Sequence, residues 1–423
     1  MILLYEVLTV IIYPFLVLLI LFRKVIKKED PKRYREKIFT SYFNVKRNKS
    51  KLIWFHAASI GEFKSILPVV ENLNKNAKNL EFLITTITLS SSILAKQDLK
   101  KFNNVYHRFL PVDVGFIINK FIDLWKPNII FLVDSEIWPN LILKAKKEKI
   151  SIGIINARIT SKTFRRWMLF PRTSKRIFSS FGLCLTSNLE TKKYLLKLKV
   201  KKINFLGNIK LIDEYKSKND IKYFPSLKRF WFAASTHKGE EEICLKTHLK
   251  VKERYKNLIT IIAPRHIDRV NEIELLCKNL NLNHQILNKN QVILKKKEII
   301  IINYFGGLND FFRLSKSVFI GKSTISKLKN DSGQNPIEAA KLGCKIYHGP
   351  YVYNFKEIYK TLESKKITNR INNYLDLSNA LIKDLKSPKK INIKPLPYIN
   401  NLGKKTLTDT MREINNFVFN EIK

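Results

Sequence analysis

Short, nearly continuous apolar runs alternate with helical patterns along most of this chain. Lys51 to Ala57, Leu80 to Thr86, Asn128 to Val133 and Ser151 to Asn156 read as buried strands. A helix over Glu62 to Leu73 follows the first run, and a Thr/Ser-rich turn with another helix follows the second. After a polar stretch from Asp213 to Lys222 that reads as a linker, the pattern restarts. Strands are expected at Phe230 to Ala234, Leu258 to Ala263, Glu298 to Ile302 and Val318 to Ile320, with a helix over Glu240 to Tyr255. Strands that are apolar on both faces and separated by helices imply βαβ units and parallel sheets. Two successive Rossmann-like halves fit 423 residues, too many for one ordinary core. Ligands of such sheets bind beyond the carboxyl ends of the strands.

The pattern at the start is different. Val7 to Phe22 is uncharged and apolar, and Arg23, Lys24, Lys27 and Lys28 follow at once. The run approaches the length of about 17–25 residues that a spanning helix needs, and no small-residue cleavage site follows. An uncleaved membrane anchor over residues 1–24 is expected, with the remainder cytoplasmic by the positive-inside rule. A helix lying in the interface is the alternative. The rest divides into 25–215, 216–400 and a C-terminal helix over 401–423.

With 45% hydrophobic and 27% charged residues the chain reads as globular. The formal charge of +43 comes mostly from Lys in a chain rich in Asn and Ile. It fits an acidic partner or AT-rich codons equally well, and does not choose between them. Cys184, Cys244, Cys277 and Cys344 form no CxxC pair, which argues against a disulfide framework or a zinc site. The chain has no GxGxxG, GxxxxGK[ST] or HExxH motif, so redox, ATPase and zinc-protease readings lose ground.

The candidate chemistry gathers at strand ends. Glu62 follows Ser59 and Gly61 at a helix start, where an acid suits the helix dipole or serves as a general base. Ser59 can cap that helix, and Gly61 permits close approach of a substrate. Asp134 and Glu136 resemble a metal-binding carboxylate pair but lack enough further oxygen ligands. We read Glu136 as orienting an acceptor or balancing charge, with Trp138-Pro139 fixing its direction, and Asp134 as structural. Ser235 and Thr236 suit an anion at a helix start or ordinary capping. Arg265, beside His266, suits phosphate, although a solvated arginine explains it as well. Asn335 and Glu338, flanking Pro336 and Ile337, form a capping-box pattern or accept from ribose hydroxyls. Phe305-Gly306-Gly307 is a turn that a nucleotide could approach.

Taken in order, these segments resemble the transferases of 3-deoxy-D-manno-octulosonic acid (Kdo), which act on lipid A precursors. The likeness runs through His56-Ala57-Ala58-Ser59-Ile60-Gly61-Glu62, Ser135-Glu136-Ile137-Trp138-Pro139-Asn140 and Asn156-Ala157-Arg158-Ile159. It continues through Gly207-Asn208-Ile209-Lys210, Ala234 to Glu241, Pro264-Arg265-His266 and Asn335-Pro336-Ile337-Glu338, ending at Gly349-Pro350 and Asn354-Phe355. The resemblance implies an α/β GT-B architecture, two Rossmann-like domains facing a cleft, with an N-terminal anchor at the inner membrane. It implies a CMP-Kdo donor, a lipid IVA acceptor, inversion at the anomeric carbon and no metal cofactor. By position, Glu62 is then the base, and Glu136 and Lys210 support the transition state. Arg265, His266, Phe305, Gly306, Gly307, Asn335, Pro336, Ile337 and Glu338 form the CMP pocket. Three departures stand out: Ser332-Gly333-Gln334 in place of Gly-Gly-His, extra residues around Lys327 to Asp331, and Gly307 in place of an acid.

The anionic membrane face and the acceptor's phosphates would be the partners of the basic surface. Nucleic acid is not expected, because the Lys residues are spread over both halves and the aromatics lie mostly in apolar runs. The alternatives are a related transferase with another nucleotide sugar, such as a UDP donor, or a non-catalytic, membrane-tethered polyanion binder.

Overall fold

The computed structural model describes residues 1–43, 50–76, 79–212, 229–304, 306–387 and 397–422. The expected linker at Asp213 to Lys222 and the candidate Phe305 lie outside these. The chain divides into two compact units, Met1–Glu214 with Leu402–Lys423, and Tyr215–Asn401.

Each unit is built on one seven-stranded sheet, and every strand pairing among the described residues is parallel. The first sheet contains β1 (Lys51–His56), β2 (Leu80–Thr86), β3 (Val105–Phe109), β4 (Ile129–Val133), β5 (Ser151–Ala157), β6 (Phe181–Thr186) and β7 (Ile203–Phe205), in the order β3-β2-β1-β4-β5-β6-β7. The second contains β8 (Phe230–Thr236), β9 (Ile259–Pro264), β10 (His284–Leu287), β11 (Ile299–Ile302), β12 (Ser317–Ile320), β13 (Lys345–His348) and β14 (Thr368–Arg370), in the order β10-β11-β9-β8-β12-β13-β14. Chain order reverses between β1 and β4 in the first sheet and between β8 and β12 in the second. Those reversals are the topological switch points, where the crevice beyond the strand ends opens.

Helices cover both faces, so successive strand residues feed opposite cores. Leu52 and Trp54 of β1 pack with Ile130 and Leu132 of β4 in one core. Ile53 and Phe55 join Phe82 and Phe131 in the other, where the Phe55 and Phe131 rings stack at 5.2 Å.

The second core is completed from the far end of the chain. Met411, Ile414, Phe417 and Val418, on the helix Pro397–Ile422, are buried in it. Phe417 lies over Gly182 of β6, where an added Cβ would come within 2.9 Å of its ring. Asn204 Nδ2 donates to Glu413 Oε2 at 2.8 Å beside it.

The second unit is locked at its switch point by a carboxylate. Glu240, fully buried at the first position of the helix Glu240–Arg254, accepts through Oε2 from the His237 and Lys322 amides at 3.0 and 2.7 Å. Its Oε1 accepts from the Ser323 and Thr324 amides and the Thr324 hydroxyl at 2.8, 3.1 and 3.0 Å. The turn after β8 is thereby tied to the turn after β12. Ser235 and Lys322 flank it, both at φ +56, a conformation that costs energy in non-glycine residues and needs such support. At Gly321 an added Cβ would sit 2.4 Å from the Ser235 carbonyl oxygen, so the two turns approach too closely for any side chain there.

Candidate functional site

In the first unit, the ends of β1 and β4 bring the candidate carboxylates together at the switch point. The helix Ile60–Asn76 begins directly after Ser59. Glu62 Oε1 accepts from Ser59 Oγ at 2.9 Å, and Oε2 accepts from the Ala58 amide at 2.7 Å. The Glu62 amide in turn reaches Ser59 Oγ at 3.4 Å. This is close to a capping box, so the helix-start role of Glu62 is real. It engages two of the roughly four lone-pair positions of a carboxylate. Burial, and then the negative charges of Asp134 and Glu136, push the Glu62 pKa up; Lys210 and the Ser59 hydrogen bond oppose them.

Asp134 and Glu136 have separate partners rather than a shared one. Lys210 Nζ donates to Asp134 Oδ2 at 2.7 Å. The pair is assembled by backbone conformations that Asp and Asn tolerate well: Asp134 at φ +62 and Asn156 at φ +58. Asn156 Oδ1 accepts from the Ile209 amide at 3.1 Å, and Asn208 Oδ1 from the Lys210 amide at 3.0 Å, which aim the lysine. Its Cε passes 3.9 Å from where a Cβ on Gly61 would lie.

Glu136 Oε2 accepts from Trp138 Nε1 at 2.9 Å and faces His56 Nε2 at 3.4 Å. The orientation of the His56 ring follows from its other neighbours. Trp54 Nε1 donates to Thr85 Oγ1 at 2.9 Å, and the Thr85 hydroxyl lies 2.9 Å from His56 Nδ1. His56 Nδ1 also lies 3.2 Å from the Thr85 carbonyl oxygen, so Thr85 holds the ring with its Nε2 edge toward Glu136. Trp138 and His56 were not among the expected site residues. Trp138 was legible as the residue that directs Glu136. His56 ends a buried strand, as many structural histidines do.

In the second unit, the candidates follow four adjacent strands: Gly306 and Gly307 after β11, Arg265 and His266 after β9, Ser235 and Thr236 at the end of β8, and Asn335 to Glu338 after β12. Arg265 and His266 are exposed, and the Arg265 amide donates to the Thr236 carbonyl at 3.0 Å. The His266 ring meets that of His237 edge-on at 5.8 Å. His237, held by Nδ1 donating to the Ser235 carbonyl at 3.2 Å, has its pKa lowered to about 4 by burial and by Lys322, His266 and Arg265. It therefore stands neutral among cations.

Neither Ser235 nor Thr236 caps the following helix, which starts after Gly239 with no side-chain cap. The amide of His237 in that turn is already taken by Glu240. The Thr236 hydroxyl is buried without a hydrogen-bond partner among the described residues. Asn335 Oδ1 accepts from the Ile337 amide at 3.0 Å; Pro336 and Ile337 are buried and Glu338 is exposed on the first turn of the helix Ile337–Lys341. Gly306, at φ +95, faces open space, whereas the Tyr304 ring covers Gly307. The extra residues form the 3₁₀ turn Ser326–Asp331, whose Asp331 pairs with Lys322 at 2.9 Å. No cluster of three or more His, Cys, Asp or Glu suited to a metal occurs among the described residues.

Residues 32–212 match the family model of 3-deoxy-D-manno-octulosonic-acid transferase. A probable mitochondrial 3-deoxy-D-manno-octulosonic acid transferase of Arabidopsis thaliana is 30% identical over 401 residues, spanning 91% of this chain and 88% of that protein. The 3-deoxy-D-manno-octulosonic acid transferase of Rickettsia prowazekii is 28% identical, covering 99% of this chain and all of the relative. Among solved structures, a glycosyltransferase from Rickettsia africae superposes with a TM-score of 0.55 at 12% identity, over 89% of this chain and 100% of the other. A UDP-N-acetylglucosamine 2-epimerase from Rickettsia bellii gives 0.54 at 12% identity, over 87% and 97%. At that distance the superpositions speak for the fold alone, and it is the α/β GT-B class expected from the strand pattern and the resemblance. With the relatives matching nearly end to end, the chain belongs to the 3-deoxy-D-manno-octulosonic acid transferase family.

Proposed function

We propose that this chain transfers Kdo from CMP-Kdo to a lipid A precursor of the lipid IVA type, with inversion, at the cytoplasmic face of the inner membrane. The observation that carries the reading is the placement of Glu62. It is a carboxylate of raised pKa at a switch point, with Glu136 and Lys210 beside it.

The acceptor's hydroxyl oxygen attacks the anomeric carbon of Kdo from the face opposite the leaving group. The bond from that carbon to the CMP phosphate oxygen breaks, and CMP leaves with the electron pair. The hydroxyl proton passes to Glu62. A positioned base of this kind contributes about 10²–10⁴-fold. Lys210 balances charge as the bond breaks, and Glu136, held by Trp138 and His56, orients the acceptor. Arg265 and His266 take the phosphate of CMP. Gly306, Gly307, Asn335, Pro336, Ile337 and Glu338 complete the nucleotide pocket, with Phe305 a further candidate. The scheme uses no metal ion. Phosphates on the acceptor and anionic lipid account for the basic surface.

The test is transfer of Kdo from CMP-Kdo to lipid IVA by wild type and by Glu62→Gln. Activity in wild type and a loss of several hundredfold or more in the variant are expected. Equal activity would remove the base assignment. Inhibition by UDP rather than CMP would replace the donor.

A further inference from the structure

The helix Ile2–Val25 wears its polarity inside out. It is long and apolar enough to cross a membrane by length and composition. The polar side chains of Tyr5, Thr9 and Tyr13 nevertheless turn toward the first unit. Tyr5 Oη donates to Asp113 Oδ2 at 2.9 Å, Asn140 Nδ2 donates to Thr9 Oγ1 at 3.2 Å, and Tyr13 Oη donates to the Ile38 carbonyl at 2.6 Å. Further along, Ile20 is buried with Tyr34 and Ile38, and Arg23 pairs with Glu29 at 2.7 Å. The opposite face, including Leu4, Val7, Leu8, Ile11, Phe15 and Leu18, is exposed and wholly apolar. An ordinary surface helix has the reverse arrangement.

The contacts from Tyr5 to Arg23 extend along about 27 Å of helix axis at 1.5 Å per residue. A hydrocarbon core is about 30 Å thick. A helix crossing it would carry Tyr5 and Thr9 to the far side, away from Asp113 and Asn140. Asp113 could not follow, because its carboxylate also accepts from the Asn140 and Leu141 amides at 3.0 Å each, at the start of the helix Pro139–Lys147.

We propose that this helix does not span the membrane but lies along the flank of the first unit, its outer face immersed in an anionic lipid surface. Charge complementarity selects that occupant over a second copy of the chain. Lys24, Lys27, Lys28, Lys32 and Arg35 are exposed immediately beyond the apolar face, and each basic residue near an anionic surface contributes about 1 kcal/mol. Exposed Phe116, whose ring meets Tyr13 edge-on at 5.2 Å, continues the apolar face onto the globular body. This inference stands without the transferase reading.

The test uses the full chain in inside-out membrane vesicles from an expressing bacterium. The native cysteines are all buried, so background labelling is low. A Thr9→Cys/Asn140→Cys variant should form an intramolecular cross-link on oxidation in the intact vesicles, seen as a reductant-sensitive mobility shift. A single Ile2→Cys should react with a membrane-impermeant maleimide added outside, and this decides the matter if the double variant fails to fold. Labelling of Ile2→Cys only after lysis of the vesicles would show a spanning helix and overturn the proposal. Purified protein should bind phosphatidylethanolamine vesicles at least roughly tenfold more tightly when phosphatidylglycerol is included. Equal binding, or a stable dimer that ignores vesicles, would overturn the choice of occupant.

Discussion

Lys210 reaches Asp134 across 2.7 Å, and the two residues come from turns that follow different strands of one sheet. The lysine is only partly exposed, and Asp134 less so. Removing the cation leaves a largely buried carboxylate uncompensated next to Glu62. Lys210→Met should lower kcat about 10²–10³-fold, on the scale of losing one electrostatic support. Steady-state kinetics with CMP-Kdo and lipid IVA check this, and an unchanged kcat would return Lys210 to a purely structural pair.

Burial and two neighbouring carboxylates raise the Glu62 pKa above its ordinary 4.5. Only the ionised form can take a proton, so kcat/KM falls as pH drops through that raised value. Asp134→Asn removes one of the two charges and should move the acid limb to lower pH; a pH–rate profile reads this directly. The stability effect has the opposite sign. A carboxylate whose pKa is raised by folding binds its proton more tightly in the native state. Its contribution is therefore complete below the unfolded pKa and is lost as pH rises through the folded one. Denaturant unfolding of Glu62→Gln should show the variant gaining on wild type over that interval.

Glu240 predicts a stability defect of a different kind. Five donors converge on its buried carboxylate, and Glu240→Ala leaves them without it. A loss of more than about 3 kcal/mol is expected, given that each buried unsatisfied donor costs about 1–3 kcal/mol. Urea unfolding measures it. Glu240→Gln should also destabilise, because an amide group replaces one acceptor oxygen that already meets two or three donors.

The aim of Glu136 depends on Trp138. Trp138→Phe keeps an aromatic ring, though a smaller one, and loses the Nε1 hydrogen bond of 2.9 Å. A hydrogen bond to a charged group is worth about 1.5–3 kcal/mol. We expect kcat/KM for the lipid acceptor to fall roughly tenfold or more by that energy, with CMP binding unchanged by calorimetry. Equal loss of CMP binding would mean that the ring supports the fold rather than the carboxylate.

What the sequence revealed follows the range of each interaction. Buried parallel strands such as β4 and β9 announce themselves because both faces are apolar. β14 has three residues, Thr368–Arg370, and β3 reads Val-Tyr-His-Arg-Phe; neither has a run to detect. Ser59 and Glu62 are three residues apart, so their contact was legible as a helix start. Asp134 and Lys210 are joined over 76 residues, and Glu240 meets Ser323 over 83. No local pattern encodes either partner. The role of Glu240 was hidden for this reason, and its turn read instead as an anion grip or an ordinary cap. The reading of Asp134 as structural missed that its partner is a residue assigned to the chemistry.

The helix Pro397–Ile422 bears on the order in which the protein is made. Phe131, Leu183 and Leu185 are among the residues of the first unit that pack in the same core as Phe417 and Ile414. During synthesis that side of the sheet has emerged, and the whole second unit after it, before the last part of its cover exists, although the helix Ile60–Asn76 already lies on it. The second unit can mature on the ribosome while the first waits with an apolar face unsealed. Chaperone dependence should therefore be concentrated in nascent chains that lack their last two dozen or so residues, and a stop codon before Met411 should yield aggregate rather than a shortened enzyme.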